Sequence, residues 1–89
     1  MAVIRTFTIG TGEGCDLRVE DGYASPRHAK IDQHDDGTFV IDDLASTNGT
    51  WIRRPGMAFP IKVRCGLGID LKPGDIVKVG RTEIPWRNA

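Results

Sequence analysis

Apolar and polar positions alternate over short stretches of this chain, and glycines, prolines and polar clusters interrupt them every few residues. Residues 3–9 are rich in β-branched and aromatic types and read as a strand. Residues 15–19, 28–32 and 38–42 also read as strands, and Asp35-Asp36-Gly37 signals a hairpin between the last two. A short strand at 50–52 follows the loop Leu44–Gly49. Later strands are expected near 61–64, 68–71, 75–79 and 82–86, with turns at Arg53–Gly56 and Lys72-Pro73-Gly74. No stretch of ten or more residues carries a helical period. Many short strands at this spacing predict an all-β sandwich or small barrel.

The length of 89 residues fits one domain over positions 1–89. No apolar run approaches the roughly 20 residues of a membrane-spanning helix. The first ten residues lack a signal-peptide pattern, so the expected compartment is cytoplasmic. Cys15 and Cys65 form neither a disulfide framework nor a C-x-x-C pair and are expected to be buried. The net charge is zero but unevenly spread. Residues 1–50 hold four basic and nine acidic side chains; residues 51–89 hold eight and three. Arg53, Arg54, Lys62 and Arg64 are therefore candidates for a basic, ligand-facing rim. The acidic first half argues against a nucleic-acid partner.

Three loops, at 10–14, 21–27 and 44–50, fall between expected strands. Loops gathered at one end of a sandwich can form a binding surface on a rigid scaffold. Their side chains suit an anionic peptide. Ser25 and Thr47 offer hydroxyls, and Arg27 offers a guanidinium fork. Asn48 can both donate to and accept from an extended backbone. Gly49 permits a tight loop.

Several blocks together resemble the forkhead-associated (FHA) family. They are Ile9-Gly10, Cys15-Asp16-Leu17, Ser25-x-Arg27-His28-Ala29, Asp43-Leu44-x-Ser46-Thr47-Asn48-Gly49-Thr50, and Gly74-Asp75-Ile76-Val77-x-Val79-Gly80. The resemblance spans about residues 7–86. It implies an FHA-type β-sandwich of the SMAD/FHA-like class, with about ten or eleven short strands. It also implies a phosphothreonine reader serving Ser/Thr-kinase signalling or assembly, with a phosphothreonine-containing protein or peptide as partner. By position, Ser25 would bond the phosphate, Thr47 would line the pocket and Asn48 would hold the peptide backbone. Arg27 falls where the family often carries a basic residue. Gly10, His28 and Gly49 would support the site.

The chain departs from the family where an arginine normally follows Ile-Gly, because Thr11 stands there. Pro26, after Ser25, has no N–H to offer an anion. Two compensations are open. The glycines around Glu13 can turn N–H groups outward, aided by the Thr11 hydroxyl, or Arg53 or Arg54 can swing in as secondary basic contacts. The alternative is a phosphate-independent FHA-like scaffold or self-association module that has lost phosphothreonine recognition, and in either case the chain is expected to be a monomer or weak homodimer. Residues beyond the phosphothreonine would be selected by Arg53–Gly56 or the loop Met57–Pro60.

Other chemistries fit poorly. Ser25, His28 and Asp42 or Asp43 lack the framework of a catalytic triad. Residues 10–14 contain neither G-x-G-x-x-G nor a P-loop lysine. Cys15, Cys65, His28 and His34 lack metal-ligand spacing. No catalytic residue, metal or other cofactor is expected, and no membrane partner.

Overall fold

The computed structural model describes residues 2–87 and contains nine strands among them. These are β1 (Val3–Gly10), β2 (Leu17–Arg18), β3 (Ala29–His34), β4 (Phe39–Asp43), β5 (Thr50–Arg53), β6 (Ile61–Val63), β7 (Ile69–Leu71), β8 (Ile76–Val79) and β9 (Thr82–Pro85). They form a five-stranded sheet in the order β2-β1-β3-β4-β7 and a four-stranded sheet in the order β6-β5-β8-β9. Every pairing is antiparallel except β1 with β2.

Period-two patterning places one apolar face of each sheet inward. In the first sheet, register aligns Phe7, Ile31, Ile41 and Ile69 in one row and Ile9, Ala29 and Asp43 in the next. The second sheet answers with Ile61, Ile52, Val77 and Ile84, then Val63, Thr50, Val79 and Thr82. Ile41, Ile52 and Val79 are fully buried, and each such side chain contributes roughly 1.5–3 kcal/mol. The rows containing Asp43 and Thr50 lie at one end of the sandwich, here called the apex. A hydrogen bond of 2.7 Å from Thr50 Oγ1 to Asp43 Oδ1 ties the sheets together there.

Four expectations need correction. Nine strands stand among the described residues rather than ten or eleven. The strand expected over 15–19 shrinks to Leu17–Arg18 because Asp16 is drawn into a turn. Its carboxylate accepts from Thr8 N–H and Oγ1, and Cys15 N–H donates to the Gly12 carbonyl. The cysteines are not buried, for Cys15 is partly exposed and Cys65 is exposed. Arg54 is not a mobile rim residue. It lies at the end opposite the apex, where its Nε and Nη2 grip the two Asp75 carboxylate oxygens at 3.1 and 3.0 Å. Nη2 also donates to the Asp70 carbonyl.

Asp75 is buried and also accepts from Lys72 N–H. Burial pushes its pKa up, but the hydrogen bonds from Arg54 and Lys72 and the Arg54 charge outweigh this, so the net shift is downward. A carboxylate with a depressed folded pKa adds stability above its unfolded value of about 4 and loses it as pH falls through the folded pKa. Replacing Arg54 by Met strands the buried charge. The variant is expected to lose about 3 kcal/mol at pH 7, measured by urea unfolding, and the gap from wild type should shrink toward pH 3. A gap that is constant with pH would contradict the pairing.

Candidate functional site

The apex is built by loops that the sandwich delivers to one end. β1 ends at Gly10, where a Cβ would come within 2.2 Å of the Pro26 carbonyl oxygen, so only glycine fits. This closeness lets Thr11 N–H donate to the Ser25 carbonyl at 3.2 Å and Gly12 N–H to the Pro26 carbonyl at 3.1 Å. The loop between β2 and β3 is pinned by Asp21. Its carboxylate accepts from Tyr23 N–H, Arg81 N–H and the Thr82 hydroxyl at 2.7–2.8 Å. The Thr82 hydroxyl and the Tyr23 and Arg81 N–H groups hold the Asp21 pKa below the usual carboxylate range.

His28 joins this loop to the loop between β4 and β5. Its ring is fully buried. Ser25 N–H donates to Nδ1 at 3.0 Å, and Nε2 lies 2.7 Å from the Gly49 carbonyl. With Nδ1 accepting, the ring proton resides on Nε2 and is donated to Gly49. Gly49 has φ +85°, a conformation that costs glycine little.

Asp43 organises the rest of the loop. It accepts from the Ser46 hydroxyl, from Ser46 N–H at 3.0 Å and from the Thr50 hydroxyl. Burial raises its pKa, but these bonds more than offset that, and the net shift is downward. The Ser46 hydroxyl in turn accepts from Gly49 N–H. Within the run of small polar residues 46–50, Ser46 is therefore structural.

The result is one surface carrying Thr11, Ser25, Thr47 and Asn48. Ser25 Oγ accepts from Thr47 N–H at 3.2 Å and keeps its own proton to donate outward. Asn48 donates to the Tyr23 carbonyl at 2.7 Å, leaving its side-chain oxygen free to accept. The Thr47 hydroxyl is exposed and takes no partner among the described residues. Arg27 lines a groove with Thr8, Gly12, Gly14, Cys15 and Pro26, beside the Thr11 and Ser25 segments.

Both compensations for Thr11 meet obstacles. The Gly12 N–H is spent on Pro26. Arg53 and Arg54 lie a full strand from the apex, since β5 starts at Thr50 and runs away from it. Arg53 instead pairs with Glu83 at 3.2 Å, and Arg54 is locked to Asp75. The segment 53–60 sits at the same far end, because Ile61 pairs with Ile52 and Val63 with Thr50. It meets the apical loop only through Trp51, which lines a groove with Ala58 and Pro60 and lies against Gly49.

Sequence reasoning missed two apical arginines. The Arg81 guanidinium stacks 3.9 Å over the Tyr23 ring. Arg18 Nε donates to the Thr11 carbonyl at 3.1 Å. Neither lies near Asn48 in sequence, and only the β8–β9 turn and the parallel β1–β2 pairing bring them to the apex.

The family model for the FHA domain matches residues 7–80 of the chain. The FHA domain-containing protein FhaB of Mycolicibacterium smegmatis is 34% identical over 79 residues. That match covers 89% of this chain and 45% of the relative, so the chain spans about half the length of the curated relative it matches. The fold is similar to the N-terminal FHA domain of Saccharomyces cerevisiae Rad53p in complex with a phosphothreonine peptide. The TM-score is 0.73 with 30% identity, over 90% of this chain and 60% of that one. An FHA domain from a structural and functional study of phosphothreonine-dependent FHA interactions superposes with a TM-score of 0.69 at 29% identity. That match covers 88% of this chain and 71% of the other.

Truncating His28 to Ala should leave the Ser25 N–H and Gly49 carbonyl unpaired, at roughly 1–3 kcal/mol each. The expected outcome is loss of about 3 kcal/mol by chemical unfolding and faster exchange of the Ser25 amide. Thr47→Ala, at an exposed position, should stay within about 0.5 kcal/mol of wild type. Unchanged Ser25 exchange in the His28 variant would contradict the tether.

Proposed function

The chain belongs to the FHA domain family, and we propose that it binds phosphothreonine peptides through its apical loops as a protein–protein interaction module. One observation carries this reading. The Ser25 and Thr47 segments are joined by a 3.2 Å hydrogen bond that leaves both hydroxyls available at the same surface. Two such donors suit the oxygens of a phosphate group.

In this reading Ser25 donates to the phosphate and Thr47 lines the threonine side of the pocket. Asn48 accepts a peptide N–H through its free side-chain oxygen. Gly10, His28 and Gly49 hold the loops in place. Thr11 contributes a hydroxyl at the rim. Arg27, in the groove beside Gly12 and Pro26, adds positive charge next to the phosphate. The partner is a protein phosphorylated on threonine by a Ser/Thr kinase. The Rad53p domain, in its complex with a phosphothreonine peptide, supports the assignment by similarity of fold.

A phosphate-independent scaffold is favoured by two specific features. Thr11 is neutral, and the residue after Ser25 is Pro26, which has no N–H to donate. Matched phosphothreonine and threonine peptides, titrated by fluorescence anisotropy, separate the readings. The phosphorylated peptide is expected to bind at least tenfold tighter, and Asn48→Ala should weaken it by about tenfold, equivalent to roughly 1.4 kcal/mol. Equal affinity for both peptides would overturn the phosphothreonine reading.

A further inference from the structure

A phosphothreonine carries about −1.5 to −2 charge at neutral pH. Neutral hydroxyls alone leave most of that charge uncompensated, and bonds from a cation are roughly twice as strong as neutral ones. The structure restricts which cation can serve. Arg53 and Arg54 lie at the opposite end in ion pairs. Lys62 sits over the Trp51 ring on the smaller sheet, beside Gly49 and across the loop from Thr11. Arg64 lies in the 64–67 hairpin, where Gly66 N–H bonds Asp42 on β4, across β3 from β1. Arg81 is stacked on Tyr23, and Arg27 lines the groove with Gly12 and Pro26 with no hydrogen bond or ion pair anchoring its guanidinium among the described residues.

Arg18 is placed differently. Parallel pairing sets it abreast of Gly10, the residue before Thr11. Val19 N–H donates to the Gly10 carbonyl at 2.9 Å and secures that register. From there the side chain reaches Thr11, and Nε donates to the Thr11 carbonyl at 3.1 Å. The N–H of the same Thr11 donates to the Ser25 carbonyl. One residue's backbone thus links the guanidinium to the serine whose hydroxyl faces the proposed phosphate. Both terminal nitrogens of Arg18 remain without a partner among the described residues, and no carboxylate pairs with it. A planar fork anchored through Nε presents those nitrogens in the geometry that fits phosphate oxygens.

We propose that Arg18 supplies the guanidinium that binds the phosphate, reaching the site from β2 in place of a side chain at position 11. This rests on the phosphothreonine reading above. Arg18 is exposed, so replacing it leaves the core intact.

The test compares wild type, Arg18→Gln, Arg53→Gln and the double variant Thr11→Arg/Arg18→Gln, each titrated with matched phosphothreonine and threonine peptides. Arg53→Gln removes the same charge at the far end. Arg18→Gln is expected to lose roughly ten- to a hundredfold in affinity for the phosphorylated peptide and nothing for the other. Arg53→Gln should stay within about twofold, and the double variant should recover the lost affinity. Wild-type affinity in Arg18→Gln would overturn the assignment while leaving the phosphothreonine reading intact. An equal loss in Arg53→Gln would overturn it too, by showing only a general charge effect. A wild type that binds both peptides equally would overturn that reading, and this assignment with it.

Discussion

The imidazole of His28 lies wholly inside the sandwich, and both of its nitrogens are spent on loop backbone. One receives the Ser25 N–H and the other reaches the Gly49 carbonyl, residues 24 positions apart in sequence. No apolar side chain could satisfy both groups, and an unmet buried polar group costs more than a made bond returns. The two loops are thereby held at a fixed separation. The Ser25 hydroxyl, Thr47 and Asn48 share one surface because of it. Asp43 does the equivalent work within the second loop and bonds Thr50 on the opposite sheet.

The interior is therefore apolar between two polar ends, with His28, Asp43 and Thr50 at the apex and Asp75 at the far end. Charge is arranged accordingly. Asp21, Asp42 and Asp43 are turned to internal hydrogen bonds, whereas Arg18 carries no ion pair and Arg81 only a ring contact. The first half's carboxylates are largely consumed in building loops. Of the second half's cations, Arg53 and Arg54 are paired away from the apex, with Glu83 and Asp75.

Much of this was legible in the sequence. The alternation in residues 38–42 and the Asp35-Asp36-Gly37 signal located the β3–β4 hairpin, because period-two burial and turn chemistry are local properties. The blocks around Ser25 and Ser46–Thr50 identified the family and the all-β sandwich, both borne out by the family match and the similar folds. What escaped depends on distant partners. The strand at 15–19 was cut short by Asp16 folding back onto Thr8. Arg54 looked like a free turn residue because Asp75, its partner, lies 21 positions away. Cys65 looked buried by residue type but lies in an exposed hairpin. Arg18 looked like one polar position on a strand, since nothing local shows that β1 and β2 pair in parallel.

The central claim is that the surface organised by His28 receives the phosphothreonine. Amide chemical shifts of the isotopically labelled chain, followed while a phosphothreonine peptide is added, test it most directly. The account expects the largest changes at Thr11, Ser25, Thr47 and Asn48, with the far-end amides of Arg54 and Asp75 unmoved. Changes centred elsewhere, such as the groove beside Phe7 and Trp86, or none at saturating peptide, would contradict it.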